Sequence, residues 1–170
     1  PYGGDVDDAP GVLVEHVGQN GLYRVERAVH VDGEVPVPQG VGDVLKQRLP
    51  RYACIPQKYQ DKMVYRGEFY MDLGKTGRNY YVGIMEYICD GVVYDFIDNQ
   101  EFFSSGNPYI SLVDDIPKYC FFSKAALAAL NFLNWIPDVI HCHDWQAALV
   151  PVYLHTMFQD SPVGRAKTVL

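Results

Sequence analysis

PDVIHCHDWQAALVPVYL, residues 137–154, carries the strongest signal of fold class in this chain. An apolar run from Asp138 to Cys142 predicts a short buried strand, and an amphipathic segment follows at once. Asp144 is a good N-cap for a helix that begins at Trp145. A strand leading into a helix is typical of α/β proteins, which place ligand sites at the carboxyl ends of parallel strands. The free N–H groups at the start of the helix favour an anionic or hydroxyl-rich ligand.

Polar side chains gather at this junction, namely His141, His143 and Asp144. The two histidines are two residues apart on a strand, so they point the same way and could share a metal ion. Because no third ligand stands in the local sequence, we predict no metal site. His143 also has a simpler interpretation, as a polar residue that flanks a helix.

Composition excludes several classes of protein. A length of 170 residues suits about one domain. The net charge of −7, with 14 scattered Lys and Arg residues, argues against nucleic-acid binding. The sequence has no apolar run that could span a bilayer and no signal peptide, so we expect no membrane association. The four cysteines lack Cys-x-x-Cys spacing, which predicts reduced thiols and a cytoplasmic location.

Local patterns predict several further elements. Two strands flank Asp90-Gly91, a pair that supplies the positive φ angles of a tight hairpin. Pro117 suits the first turn of a long buried helix that runs to about Asn134, with Asp114 and Asp115 at its positive end. Residues 80–170 are predicted to form a mainly parallel sheet flanked by helices. The predicted strands are Val12–Val17, Leu22–Val31, Tyr81–Ile88, Val92–Ile97, Val139–Cys142 and Lys167–Leu170.

Residues 137–154 resemble the His-Asp-Trp segment of bacterial glycogen synthases and plant starch synthases, which are glucosyltransferases with two Rossmann-like lobes facing a cleft. Further segments resemble successive pieces of the amino-terminal lobe of a bacterial glycogen synthase, in order; they are residues 51–59, 69–73, 81–84, 94–99 and 121–127. We therefore expect an α/β fold, an incomplete Rossmann-like amino-terminal lobe of a two-lobed glycosyltransferase. This partial catalytic lobe covers residues 40–170, and residues 1–39 form an unassigned β-rich segment.

The glycine loop of this family departs from its usual pattern here. Gly40, Gly42 and Asp43 match the family loop that approaches the nucleotide sugar, but Val37 stands where a lysine is usual. A valine cannot provide the cation that would pair with a diphosphate. In the family a helix and a strand separate this loop from the next matching segment, whereas here only residues 45–50 intervene, too few for a crossover. We expect that residues 40–52 form no regular βαβ unit and that residues 1–39 replace the strand before the loop.

The resemblance implies retaining transfer of glucose from ADP-glucose to an α-1,4-glucan, without a metal or another cofactor. It places His143 near the reacting carbon and gives Asp144 the task of holding the site. Gly40, Gly42 and Asp43 would line the cleft. Phe102 occupies the place of a tyrosine near the sugar. Since the donor is also gripped by a carboxyl-terminal lobe outside these 170 residues, we expect the chain alone to be inactive.

Two other functions stay open at the level of sequence. The first is a non-catalytic glucan-binding or interaction module, because those of the many aromatic residues that are exposed could stack on oligosaccharides. Trp145 itself is expected to pack between helix and sheet rather than to stack on glucose. The second is a truncated gene product without a function of its own. Exposed apolar surface where the other lobe should dock would favour the second.

Overall fold

The computed structural model describes residues 23–26, 46–74, 77–105 and 108–169, and of residues 23–26 only the backbone. Seven strands of this part of the chain form one sheet, in the order β3-β4-β5-β2-β1-β6-β7. The strands are β1 (Tyr23–Glu26), β2 (Lys46–Pro50), β3 (Val64–Asp72), β4 (Asn79–Cys89), β5 (Val92–Asp98), β6 (Val139–Cys142) and β7 (Lys167–Val169). The helices are α1 (Gln57–Gln60), α2 (Gln100–Phe103), α3 (Leu112–Phe132) and α4 (Leu149–Thr156), with 3-10 turns at Trp145–Ala147 and Pro162–Arg165.

The sheet is mixed, so the prediction of a mainly parallel sheet is wrong. Of the strand pairs that the structure describes, only β2–β5 and β6–β7 are parallel. The pairs β3–β4 and β4–β5 are antiparallel because their connections are too short for a crossover. Strand β1 lies antiparallel to both of its neighbours, β2 and β6. The α/β class holds, since helices pack on a sheet that contains parallel pairs.

Several predicted strands are confirmed. The hairpin of β4 and β5 turns at Asp90 and Gly91, whose φ angles of 50° and 77° are the positive values of a two-residue turn. Strand β6 has the predicted bounds, and β7 agrees over the residues that the structure describes. The predicted strand Leu22–Val31 contains β1, whereas Val12–Val17 lies outside the described residues. Strands β2 and β3 were not predicted.

The amino-terminal region supplies an inner strand of the sheet. β1 belongs to residues 1–39 and lies between β2 and β6, antiparallel to both. That residues 1–39 replace the strand before the glycine loop stays a prediction. Residues 46–52 contain β2 and no helix, so the expected absence of a βαβ unit holds for the described part of residues 40–52. The domain boundary at residue 40 stays a prediction.

Helix α3 forms the centre of the main core. Its first turn is capped by Ser111, whose Oγ accepts a hydrogen bond from the Asp114 N–H at 3.3 Å. The helix therefore starts at Leu112, and the prediction that Pro117 lies in its first turn is wrong: Pro117 is inside the helix. Asp114 and Asp115 occupy the first turn as predicted, where they interact favourably with the helix dipole.

The main core lies between this helix and the sheet. Fully buried apolar residues from α3, α4 and the strands form it, among them Phe121, Phe122, Leu127, Leu130, Val82, Ile84, Ile97, Ile140, Val150 and Leu154. In a second, smaller core, the segment around α1 packs against another group of strand residues. This core contains Leu49, Ile55, Tyr59, Met63, Cys89, Tyr94 and Phe96. Within the described ranges, no helix is both long and apolar enough to cross a bilayer.

A buried ion pair joins β2 to β5. Arg48 and Asp95 are directly opposite each other in the parallel register, and neither side chain is exposed to solvent. Lys46 lies 3.9 Å from the same carboxylate and 4.0 Å from Glu86. The Trp135 ring covers the two cations, with its centroid 5.8 Å from the Arg48 Cζ. A buried charge pair thus connects two strands that are distant in sequence.

Candidate functional site

The candidate site begins where β6 ends. Asp144 has φ 61° and ψ −178°, a backbone region in which residues other than glycine are rare. Its Oδ1 accepts a hydrogen bond from the Trp145 N–H at 2.7 Å. The cap therefore serves a 3-10 turn, and the prediction that the helix begins at Trp145 is corrected, since α4 starts only at Leu149. A strained residue of this kind costs roughly 1–3 kcal/mol and is typical of functional sites.

The two histidines form a stacked pair at this turn. Their ring centroids are 4.2 Å apart with an angle of 31° between the planes, so His141 and His143 point the same way, as predicted. Both residues are half-buried. No group of three or more His, Cys, Asp and Glu residues in the described part of the chain could hold a metal ion.

Trp145 is the exposed aromatic surface of the site. The side chain is 41% exposed. Its ring meets the Tyr119 ring edge to face, with centroids 5.0 Å apart, and lies 6.4 Å from the Tyr109 ring. A partly exposed aromatic ring, one residue beyond the His143-Asp144 pair, suits stacking on the apolar face of a sugar.

Gln146 lies beneath this surface and is only 1% exposed. Its Nε2 donates to the Tyr109 hydroxyl at 2.5 Å, and its main-chain carbonyl accepts from the Ser123 hydroxyl at 3.2 Å. The Oε1 atom has no hydrogen-bond partner among the described residues. Gln146 was not among the site residues predicted from the sequence, although its position directly after the His-Asp-Trp motif is a signal.

Two buried tyrosines support the aromatic surface. The hydroxyls of Tyr52 and Tyr119 are 3.0 Å apart, and Tyr119 donates to the Pro108 carbonyl at 3.1 Å. Because a carbonyl can only accept, the proton between the tyrosines comes from Tyr52. Burial raises the pKa of Tyr119 to about 12, and it raises the pKa of Tyr52 well above its usual range. Both phenols are therefore neutral at physiological pH, and the hydrogen-bonded chain stays intact.

The other predicted site residues lie elsewhere. Phe102 is half-buried on α2, where its ring stacks on Phe121 with centroids 4.6 Å apart. Among the described residues, Phe102 is linked to the site through Phe103, which packs on Tyr52. Its sugar contact stays a prediction. Gly40, Gly42 and Asp43 lie outside the described residues.

Comparison with known proteins identifies the family. Residues 42–170 match the family model of the starch synthase catalytic domain. The chain belongs to this family. The match contains the whole β6 turn with His143, Asp144 and Trp145, so the candidate site lies in the part of the chain that carries the family signal.

Bacterial glycogen synthases are among the similar proteins. The chain is 50% identical over 113 residues to the glycogen synthase of Lachnoclostridium phytofermentans and 50% identical over 112 residues to that of Lachnospira eligens. Each match covers 66% of this chain and 23% of the relative. The glycogen synthase of Halalkalibacterium halodurans is 32% identical over 153 residues, which are 88% of this chain and 31% of the relative. The chain thus spans about a quarter to a third of the length of these relatives.

A solved structure has a similar fold. It is the catalytic domain of starch synthase IV from Arabidopsis thaliana bound to ADP and acarbose. The TM-score is 0.57 at 29% sequence identity, and the match covers 71% of this chain and 25% of that chain. The sheet and its helices are therefore an incomplete Rossmann-like lobe of a starch synthase catalytic domain, as predicted from the sequence.

Proposed function

We propose that the chain provides the amino-terminal lobe of a glycogen synthase, which transfers glucose from ADP-glucose to an α-1,4-glucan with retention of configuration. The observation that carries the proposal is the β6 turn, where His143, the strained Asp144 and the exposed Trp145 ring come together within the family match. ADP and acarbose, bound by the Arabidopsis starch synthase, are consistent with a nucleotide-sugar donor and a glucan.

In this proposal each residue of the turn has one task. His143 hydrogen-bonds the glucosyl group near the reacting carbon, where a preorganised donor stabilises developing charge in the transition state. Asp144 fixes the path of the backbone between β6 and the 3-10 turn, so that the imidazole and indole rings keep their relative positions. Trp145 offers a stacking face for glucan. Gly40, Gly42, Asp43 and Phe102 complete the lobe's share of the cleft, and neither a metal nor another cofactor takes part.

The proposal includes a carboxyl-terminal lobe that grips the donor. Exposed apolar residues at the start of α3 support this part of the proposal, because another lobe could cover them. They are Ile110, Leu112, Val113 and Ile116, which are between 54% and 82% exposed. We also propose a cytoplasmic location, which is supported by four free cysteines.

An incorporation assay tests the proposal. Labelled ADP-glucose and glycogen are incubated with the purified 170-residue chain and with an intact bacterial glycogen synthase as the positive control. We expect no turnover by the chain alone, since losing even one preorganised charge contact commonly costs a factor of about a hundred or more in rate. Turnover comparable to that of the intact synthase would contradict the need for a second lobe.

A non-catalytic glucan-binding module is the second candidate, and the exposure of Trp145 favours it. This candidate predicts that the chain binds maltooligosaccharides but not ADP-glucose. In the synthase proposal the glucan still binds, and addition of the matching carboxyl-terminal lobe from a close relative restores detectable incorporation. Isothermal titration with maltoheptaose and with ADP-glucose, followed by the mixing experiment, separates the two candidates.

A further inference from the structure

A buried ion pair of α3 lies beside the loop that leads into this helix. Lys118 and Asp115 are 2% and 4% exposed, and their charged atoms are 2.7 Å apart. Replacing such a pair by apolar residues is often neutral or stabilising, so burial alone does not explain why charged side chains lie here. Their further contacts give the reason.

Both members of the pair hold the backbone of the same short segment. The Lys118 Nζ donates to the Pro108 carbonyl at 2.7 Å. The Asp115 carboxylate accepts from the Ile110 N–H, at 3.2 Å to one oxygen and 3.3 Å to the other. The residue between these two anchors is Tyr109. Its backbone is thus fixed on both sides by one ion pair.

Tyr109 passes this constraint to the β6 turn. Its hydroxyl accepts the hydrogen bond from the buried Gln146 amide, and its ring lies against Trp145. A hydrogen bond of 2.5 Å between two side chains that are 37 residues apart is sensitive to small shifts of the loop. The position of the exposed indole ring therefore depends on the loop, and the position of the loop depends on the ion pair.

We infer that Asp115 and Lys118 are positioning residues for the sugar site, because they clamp residues 108–110 and thereby align Tyr109 with Gln146 and Trp145. The identity of the ligand as a glucan rests on the proposed function, but the clamp itself does not. An arginine in place of Lys118 could make the same two contacts, since it also combines a cation with several N–H donors.

Substitutions in the 170-residue chain test the clamp by NMR without any sugar. Lys118→Met removes the cation, and Lys118→Arg keeps it. Lys124→Met is the matched control, because Lys124 also lies on α3 and also contacts a carboxylate and a backbone carbonyl, both of Asp72. We expect Lys118→Met to shift the indole N–H signal of Trp145 and the side-chain amide signals of Gln146. Lys118→Arg and Lys124→Met should leave these signals near their wild-type positions.

A purely structural role makes a different forecast. In that case Lys118→Met lowers the melting temperature but leaves the Trp145 and Gln146 signals unchanged, which would overturn the inference. If Lys118→Met does not fold, Asp115→Asn provides the decision, because it keeps the volume and one acceptor oxygen for Ile110. Smaller shifts of the same signals support the clamp, and unchanged signals refute it.

Titration with maltoheptaose then connects the clamp to binding. Loss of one aligning hydrogen bond should weaken the affinity of Lys118→Met for maltoheptaose about tenfold, with Lys118→Arg and Lys124→Met close to wild type. Absence of binding by the wild-type chain would count against the proposed function, while the signals without sugar would still decide the clamp. Normal affinity of a folded Lys118→Met variant would overturn the positioning role.

Discussion

The buried pair of Arg48 and Asp95 allows a quantitative test of how this sheet is held together. We predict that Arg48→Met and Asp95→Leu are each strongly destabilising, whereas the double variant regains most or all of the lost stability. The reason is that neither side chain is exposed, so each single change removes the opposing charge from a group that stays buried.

The expected magnitudes differ between the two single variants. Removing one partner of a buried pair costs about 3–5 kcal/mol in the free energy of unfolding. After Arg48→Met, Lys46 still lies 3.9 Å from the Asp95 carboxylate, which places this variant near the lower end of that range. After Asp95→Leu, Arg48 has lost its directly opposed carboxylate, which places that variant near the upper end. The double variant lacks both charges and should lie within about 1 kcal/mol of the wild type or above it.

Urea denaturation followed by circular dichroism measures these differences. With a slope of about 2 kcal/mol per molar urea, the single variants should shift the unfolding midpoint down by about 1.5–2.5 M. If the single variants do not fold, a folded double variant still demonstrates the coupling. Single variants that cost less than about 1 kcal/mol, or a double variant as unstable as the sum of both, would refute the claim that this pair fixes β2 against β5.

Three further predictions concern the turn, the thiols and the acid response. Asp144→Ala loses the cap but keeps the positive φ angle, so it should lower the free energy of unfolding by about 1 kcal/mol, whereas Asp144→Gly also relieves the strain and should be nearly neutral. Thermal melts compare the two variants, and equal losses of stability would contradict the assignment of strain. Burial raises the pKa of the Cys142 thiol to about 12, so at pH 8 a thiol reagent should modify the exposed Cys54 first and Cys142 only on unfolding; equal rates would be inconsistent with the fold. Hydrogen bonding to Lys124 holds the pKa of the exposed Asp72 carboxyl below its usual value of 3.8, so the stabilising contribution of this pair is present above about pH 4 and is lost as the pH falls further. Lys124→Met should remove that part of the acid response in thermal melts between pH 2 and 6, and an unchanged response would count against the ion pair.

Local signals in the sequence predicted the elements that depend on local chemistry. The β4–β5 hairpin follows from Asp90-Gly91, and β6 follows from a short apolar run before the His-Asp-Trp cluster. The relative directions of the strands could not be predicted in the same way. They depend on β1, which inserts antiparallel between β2 and β6, and on β3, whose partly exposed pattern gives only a weak strand signal.

Long-range contacts explain what the sequence missed in the site. His143, Asp144 and Trp145 are adjacent in sequence and were found from their motif. Gln146 and Tyr109 are joined across 37 residues, so nothing in the local pattern links them. The start of α3 was also misplaced, because Pro117 is a strong signal for a first turn, whereas the actual cap is the less conspicuous Ser111.

A binding experiment at His143 is the sharpest test of the proposal that the β6 turn forms half of a sugar site. NMR follows the imidazole resonances while the 170-residue chain is titrated with maltooligosaccharide, and the signals of His143 should shift. His143→Ala should abolish binding, while the fold and the melting temperature stay close to those of the wild type. A histidine that serves only packing would give no shift at high sugar concentration, and its removal would lower the stability by about 1–3 kcal/mol. That combination would contradict a sugar site at the β6 turn.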